Sequence, residues 1–311
     1  MTIPFLNIRN YVLAITIVVA LGGLVISKAW IQDHITGFAL ALILGGIPHG
    51  ASDYLIFNQL FRKGEAVGHK LKFLVYYVSA MAAYGLLWWT SPLMAFSLFI
   101  LVSIYHFGQS NWQYVEFKDK LQETVSYMLW GLLVVGFPVL LYHEQSSLII
   151  LEITGYSLNL GPVRLPAIFL IVLTNLVQIT NLSEANLITG DAMKRELFQI
   201  LVLVLLFAST PLLIGFGIYF VLWHSLSSTL DQITIFQSFN KRYNLKRYFL
   251  DMAPFTLLAL LGLGFLYLWL GESMDHGLNL GVLFLFISII TVPHSILMDR
   301  FYLAQTTKNK E

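Results

Sequence analysis

The sequence predicts an all-α polytopic membrane protein, on three observations. Hydrophobic residues make up 57% of the 311 residues, charged residues make up only 11%, and long apolar stretches recur along the whole chain. A soluble domain usually carries about 25% charged residues. The chain has no cysteine, which excludes disulfides, cysteine-ligated iron–sulfur clusters and thiolate catalysis. Its net charge of +1 gives no reason to expect nucleic acid as a partner.

A transmembrane helix needs about 20 mostly apolar residues, and this length defines about ten predicted spans. Proline-containing reversals at 90–92 and 209–211 each start a new helix, because proline suits a first helical turn. Residues 145–162 are half apolar and are predicted to be interfacial or re-entrant. We expect one integral membrane domain over residues 1–311, with the first stretch retained as a helix. The spans are 11–28, 35–57, 71–90, 92–113, 124–142, 163–180, 196–210, 211–230, 253–271 and 278–298.

The distribution of basic residues predicts the orientation. If both termini are cytoplasmic, all 18 lysines and arginines except Lys28 and Arg164 lie on the cytoplasmic side. The positive-inside rule favours this bias, and a miscounted span would destroy it. We therefore expect a multi-pass protein of the cell's inner (plasma) membrane with both ends inside.

Four histidines fall inside apolar spans, where an ionisable side chain indicates function. They are His49, His106, His224 and His294, on the second, fourth, eighth and tenth spans. These spans run in the same direction, and each histidine lies about 13–16 residues, or roughly 20–24 Å, from its start. Four imidazoles at one depth predict a shared metal ion, although each alone could be a hydrogen-bonding packing residue. The other histidines (His34, His69, His143 and His276) lie near helix ends or in loops and are expected to be solvated.

Neighbouring residues suggest how such a site is built. Pro48 and Pro293 directly precede two of the histidines, and proline inside a helix kinks it. Metal-bound histidine usually donates its second N–H to an oxygen acceptor. Asp53 follows His49 by four residues, Gln109 follows His106 by three and Asp231 follows His224 by seven, so these are the candidate acceptors, with Asp299 at a poorer spacing.

Aromatic side chains surround the histidines in the sequence and suit a flat, lipid-soluble substrate. All-imidazole ligation suits iron, copper, nickel or zinc, and leaves the choice open. Two alternatives remain: a histidine-lined metal-ion or proton transporter, and a haem-binding quinol oxidoreductase. The candidate substrate-binding residues are Tyr105, Phe107, Trp112, Tyr219, Phe220 and Trp223, with Phe301 and Tyr302 nearby in the sequence.

The motifs PHGASD, YHFG, WHS and PHSILMD, in this order, resemble those of the Brp/Blh family of membrane-bound bacterial and archaeal β-carotene 15,15′-dioxygenases. The resemblance extends from about Pro48 to Arg300. It implies cleavage of the central double bond of β-carotene by O₂ at non-haem Fe(II), with the four histidines as iron ligands. Two retinal molecules would result, with a rhodopsin as their typical recipient. One departure is Ser228, which stands where the family pattern often has a second histidine.

Overall fold

The computed structural model describes residues 5–26, 45–61, 66–270 and 280–308, which are mostly helical and form no strand. Two π-helical segments, Leu132–Gly136 and Tyr219–Ser225, continue directly from one α-helix into the next. The α-helices are α1 (Phe5–Val25), α2 (45–51), α3 (Asp53–Phe61), α4 (Ala66–Thr90), α5 (Pro92–Trp112), α6 (Lys120–Gly131), α7 (Phe137–Leu141), α8 (His143–Thr154), α9 (Arg164–Glu184), α10 (Gly190–Ser209), α11 (Leu212–Ile218), α12 (Leu226–Phe239), α13 (Leu245–Leu270) and α14 (Leu280–Lys308).

Eight helical stretches within the described residues are long and apolar enough to cross a membrane, which confirms the predicted polytopic helical architecture. The second predicted span, 35–57, lies partly outside the described residues, and the rest of it forms α2 and the start of α3. The seventh corresponds to α10, whose early turns contain Lys194, Arg195 and Glu196. Helices α13 and α14 extend beyond the predicted ninth and tenth spans. The orientation of the termini stays a prediction.

The predicted helix starts agree with the structure. Helix α4 ends at Thr90 and α5 begins at Pro92, while Pro211 directly precedes α11. The predicted interfacial segment 145–162 consists of most of α8 followed by non-helical residues from Gly155 onward. Gly155 has a φ of 74°, a left-handed conformation that glycine adopts without a steric penalty.

The chain divides into two compact units. The single integral membrane domain predicted for residues 1–311 stays a prediction. The first unit contains residues 1–42, 104–148 and 157–227. In it α1 packs along α10, and α9 packs against α6, α7 and α10. Its core contains fully buried aliphatic side chains: Leu133, Ile179, Leu182, Leu203 and Leu206.

Helix α10 carries a buried carboxylate, that of Glu196, which is surrounded by hydrogen-bond donors of the first unit. Glu196 has no exposed surface and accepts bonds from Arg9 at 3.4 Å and Arg195 at 3.3 Å. The Tyr114 hydroxyl (3.1 Å) and the Asn111 amide (3.4 Å) complete its surroundings. Partial burial, and then the Glu196 charge, raise the pKa of Tyr114, so its hydroxyl remains a donor at neutral pH. A buried carboxylate is tolerated when such donors compensate it.

The second unit contains residues 43–103, 149–156 and 228–311. In it α14 packs against α3, α4 and α13. An aromatic-rich core joins these helices, with Tyr248, Phe73 and Met298 buried among α13, α4 and α14. A second cluster joins Tyr84 and Trp88 of α4 to the first half of α14, where the Trp88 indole donates to Ser288 at 2.9 Å.

Candidate metal centre

The four histidines inside the spans are all buried, with exposed fractions of 2–4%. His49 lies in α2 directly after Pro48, and His294 lies in α14 directly after Pro293. The helix that carries His49 is interrupted at Ser52, whose hydroxyl donates to the His49 carbonyl at 2.7 Å. The chain therefore breaks its regular helix within one turn of this histidine.

His49 and His294 form one pair, within the second unit. Their ring centroids lie 4.8 Å apart at an interplanar angle of 71°. The Nδ1 atom of His294 lies 2.6 Å from Oδ1 of Asp53, which is itself 1% exposed. With Nδ1–H donated to this carboxylate, Nε2 of His294 is the nitrogen that could bind a metal.

His106 and His224 form a second pair, within the first unit. Their ring centroids are also 4.8 Å apart, at 78°. His224 belongs to the π-helical segment Tyr219–Ser225. Such segments are rare and frequently occur at functional sites, because the extra residue per turn changes the direction in which side chains project.

Each of the four histidines offers one ring nitrogen, and these nitrogens all lie within 4.8 Å of one another, so that the four could hold one metal ion. Four neutral imidazoles are a donor set that suits divalent iron, copper, nickel or zinc. His34 and His276, predicted to be solvated, lie outside the described residues, as does the side chain of His69; His143 begins α8 and is half-buried.

The predicted substrate-binding aromatics separate into two groups. Phe107 packs edge-on to His224 at a centroid distance of 4.7 Å, Phe220 stacks on His224 at 5.8 Å, and Tyr219 lies 5.7 Å from Phe107. The rings of Phe107 and Phe220 thus contact His224, and Tyr219 packs against Phe107.

Of the other predicted aromatics, Trp223 stacks on Tyr219 at a centroid distance of 6.5 Å, and the rest pack elsewhere. Tyr105 packs on Tyr127, and Trp112 packs on Trp130. The Trp223 indole donates to Thr16 of α1 at 2.9 Å. Phe301 and Tyr302 belong to the core of the second unit.

The predicted acceptors also differ in their placement. The spacing predicts Asp53 as an acceptor for His49; the structure places Oδ1 of Asp53 2.6 Å from Nδ1 of His294. Gln109 is buried one turn after His106, and Asp231 is half-buried on α12. Ser228, the departure from the family pattern, is buried and accepts a bond from Gln232 at 3.3 Å.

Sequence reasoning missed two residues at this centre. The Tyr77 hydroxyl donates to Oδ2 of Asp53 at 2.6 Å. Phe216 lies 5.9 Å from Phe107 and stacks with Phe220 at an angle of 12°. Phe216 precedes Phe220 by four residues, a helical spacing that was a usable signal. Tyr77 stands 24 residues from Asp53, and no local pattern joins them.

Comparisons with known proteins agree with these motifs. A family model described as "Beta-carotene 15,15'-dioxygenase" matches residues 40–302, a range that includes all four histidines. A curated relative named "Beta-carotene 15,15'-dioxygenase", from Uncultured marine bacterium 66A03, is 23% identical over 282 residues, covering 88% of this chain and 96% of the relative. No solved structure is significantly similar to the chain.

Proposed function

Because the chain belongs to the β-carotene 15,15′-dioxygenase family and is a carotenoid-cleaving enzyme of the membrane, we propose that it splits the central double bond of β-carotene with O₂ at a non-haem Fe(II) centre. The observation that carries this proposal is the group of four buried histidines with nitrogens within 4.8 Å of one another. In the proposal His49, His106, His224 and His294 all bind the same ion. Membership of this dioxygenase family disfavours the two alternative functions, a metal-ion or proton transporter and a haem-binding quinol oxidoreductase.

The donor set fits iron, since four imidazoles bind a divalent ion and an octahedral one keeps two further positions open. Bound iron would supply the O₂ chemistry that side chains lack. The overall reaction balances without another reductant: the C15=C15′ and O=O bonds break, two C=O bonds form, and both oxygen atoms come from one O₂. Each product is one retinal molecule.

The protein's own residues would position the substrate and exclude water. Phe107 and Phe220 present a ring edge and a ring face beside His224, with Tyr219 packed against Phe107, and flat rings suit a conjugated polyene. The burial of the four histidines keeps the centre dry. Such a site contributes mainly by holding the reacting bond in position.

We propose that the substrate enters sideways from the bilayer, because a C40 hydrocarbon has almost no aqueous solubility. A groove of about 300 Å³, almost entirely apolar, lies within the second unit. It is lined by Pro48, the residue before His49, and by α13 residues from Phe249 to Leu260. This groove is the proposed entrance. The plasma membrane as location and a rhodopsin as recipient of retinal are further parts of the proposal.

The test is expression in a bacterium that makes β-carotene, followed by pigment analysis. The proposal predicts loss of the orange pigment and the appearance of retinal. His49→Ala should leave β-carotene intact, whereas His143→Ala, which changes a histidine outside the group of four, should still give retinal. Unchanged pigment in cells that contain the folded wild-type protein would refute the proposed reaction.

A further inference from the structure

The Asp53 carboxylate is held by two donors from two other helices. Its Oδ1 atom lies 2.6 Å from Nδ1 of His294 in α14, and its Oδ2 atom accepts from the Tyr77 hydroxyl of α4 at 2.6 Å. The carboxylate is 1% exposed, so water contributes little to its solvation. A buried carboxylate depends on such donors. Since each oxygen has one, the plane of the carboxylate is fixed.

The Tyr77 ring is itself held rigidly. It packs against Phe73 of the same helix at a centroid distance of 5.1 Å. Phe73 in turn contacts Tyr54 at 5.4 Å and Phe255 at 6.2 Å, and it is buried in the core of the second unit. The hydroxyl also lies 3.5 Å from the Ile290 carbonyl, but the bond to Asp53 is shorter. The ring therefore presents its hydroxyl to Asp53 from a rigid aromatic base.

We propose that Tyr77 is a positioning residue for the metal centre: it fixes the Asp53 carboxylate and, through it, the tautomer and ring orientation of His294. This inference rests on the proposed function, in which His294 binds the metal. A carboxylate held at one oxygen alone can rotate about its broad terminal torsion. With Tyr77 holding the other oxygen, Oδ1 stays aligned with Nδ1–H, and Nε2 of His294 keeps its direction. Partners of metal-bound histidines act in this way, by orienting the ligand.

The test compares two tyrosines of α4 in the purified full-length protein. Tyr77→Phe removes one hydroxyl and keeps the ring that packs on Phe73. Tyr84→Phe is the matched control, because Tyr84 is also buried and its hydroxyl donates to the Ala95 carbonyl at 2.7 Å. The readouts are the dissociation constant for Co(II), used as a spectroscopic probe, and the visible absorption of the bound Co(II).

Loss of a direct partner of a metal-bound histidine typically weakens metal binding about 10–100-fold. Because Tyr77 acts one step further away, Tyr77→Phe should weaken Co(II) binding by about 3–10-fold and shift its absorption bands. Tyr84→Phe should change neither. Equal affinity and an unchanged spectrum for Tyr77→Phe would overturn the inference.

A double-mutant cycle tests whether Tyr77 acts through Asp53. In an Asp53→Ala background, Tyr77→Phe should change the Co(II) dissociation constant less than about 2-fold, because the coupled partner is gone. A full and additive loss in that background would contradict the positioning role. His49→Ala separates this inference from the proposed function. If His49→Ala binds Co(II) as well as the wild type, the proposed set of metal ligands is wrong. If His49→Ala loses Co(II) binding while Tyr77→Phe keeps it, only the proposed role of Tyr77 is wrong.

Discussion

Gly108 of α5 lies directly against the backbone carbonyl of Tyr127 in α6. Gly108 follows His106 by two residues in the sequence. The contact is reciprocal, since Gly131 of α6 lies against the Ile104 carbonyl of α5. At both positions a Cβ atom would overlap backbone atoms rather than a flexible side chain. Small residues allow such close helix approach in membranes. This crossing fixes the segment of α5 that carries His106.

The crossing gives the first prediction. Gly108→Ala forces α5 and α6 apart and should destabilise the protein by about 1–3 kcal/mol, as overpacking of a tight interior does. Thermal unfolding in detergent measures this effect. Gly264→Ala is the matched control, because Gly264 is inside α13 with no neighbour within 4 Å of an added Cβ. Equal melting temperatures for the two variants would contradict the crossing.

The second prediction concerns the four buried histidines. Alanine at His49, His106, His224 or His294 should each lower the iron content of the purified protein to near zero and abolish retinal formation. His143→Ala should keep both, because His143 is half-buried at the start of α8. Elemental analysis and pigment extraction give the two readouts. A variant of any one of the four with full iron content would remove that histidine from the proposed ligand set.

Asp53 gives the third prediction. Asp53→Asn keeps the size of the side chain but removes the charge that accepts the Nδ1–H of His294. Iron affinity should fall about 10–100-fold, as it does when such a partner is altered. Competition with a chelator of known affinity measures the change. Asp251→Asn is a suitable control, because Asp251 is paired with Arg247 and Tyr243 near the start of α13. Undiminished affinity in Asp53→Asn would leave Asp53 with a packing role only.

The fourth prediction concerns the aromatic rings that pack beside His224. Phe220 stacks on His224 and on Phe216, so Phe220→Leu removes a flat surface without adding volume. We expect kcat/KM for β-carotene to fall about 10-fold, which corresponds to about 1.4 kcal/mol, with the iron content unchanged. Phe169→Leu, at an exposed position of α9, is the control and should leave kcat/KM unaltered. A loss of iron in Phe220→Leu would show that the ring supports the metal instead.

The sequence was sufficient for the helical architecture and for the four histidines that could hold a metal ion. Apolar length gave most spans, and the prolines at 92 and 211 marked helix starts correctly. The common depth of the histidines predicted that they converge, which agrees with the structure. The predicted spans and the predicted common depth of the histidines both depend on regular helix geometry, which residue spacing alone indicates.

What could not be predicted depends on departures from that geometry and on contacts between distant segments. The contact of Asp53 with His294, 241 residues away in the sequence, has no spacing signal. The π-helical turns at 132–136 and 219–225 leave no spacing signal. Tyr77 reaches Asp53 only because α3, α4 and α14 pack together. Tertiary packing decides these features.

X-ray absorption at the iron edge of the purified protein, combined with its iron content and optical spectrum, tests most directly whether the four histidines bind one iron. We expect one iron per chain, a coordination shell with four imidazoles, and no Soret band. A shell with only two imidazoles, iron absent from active protein, or a haem spectrum would contradict it.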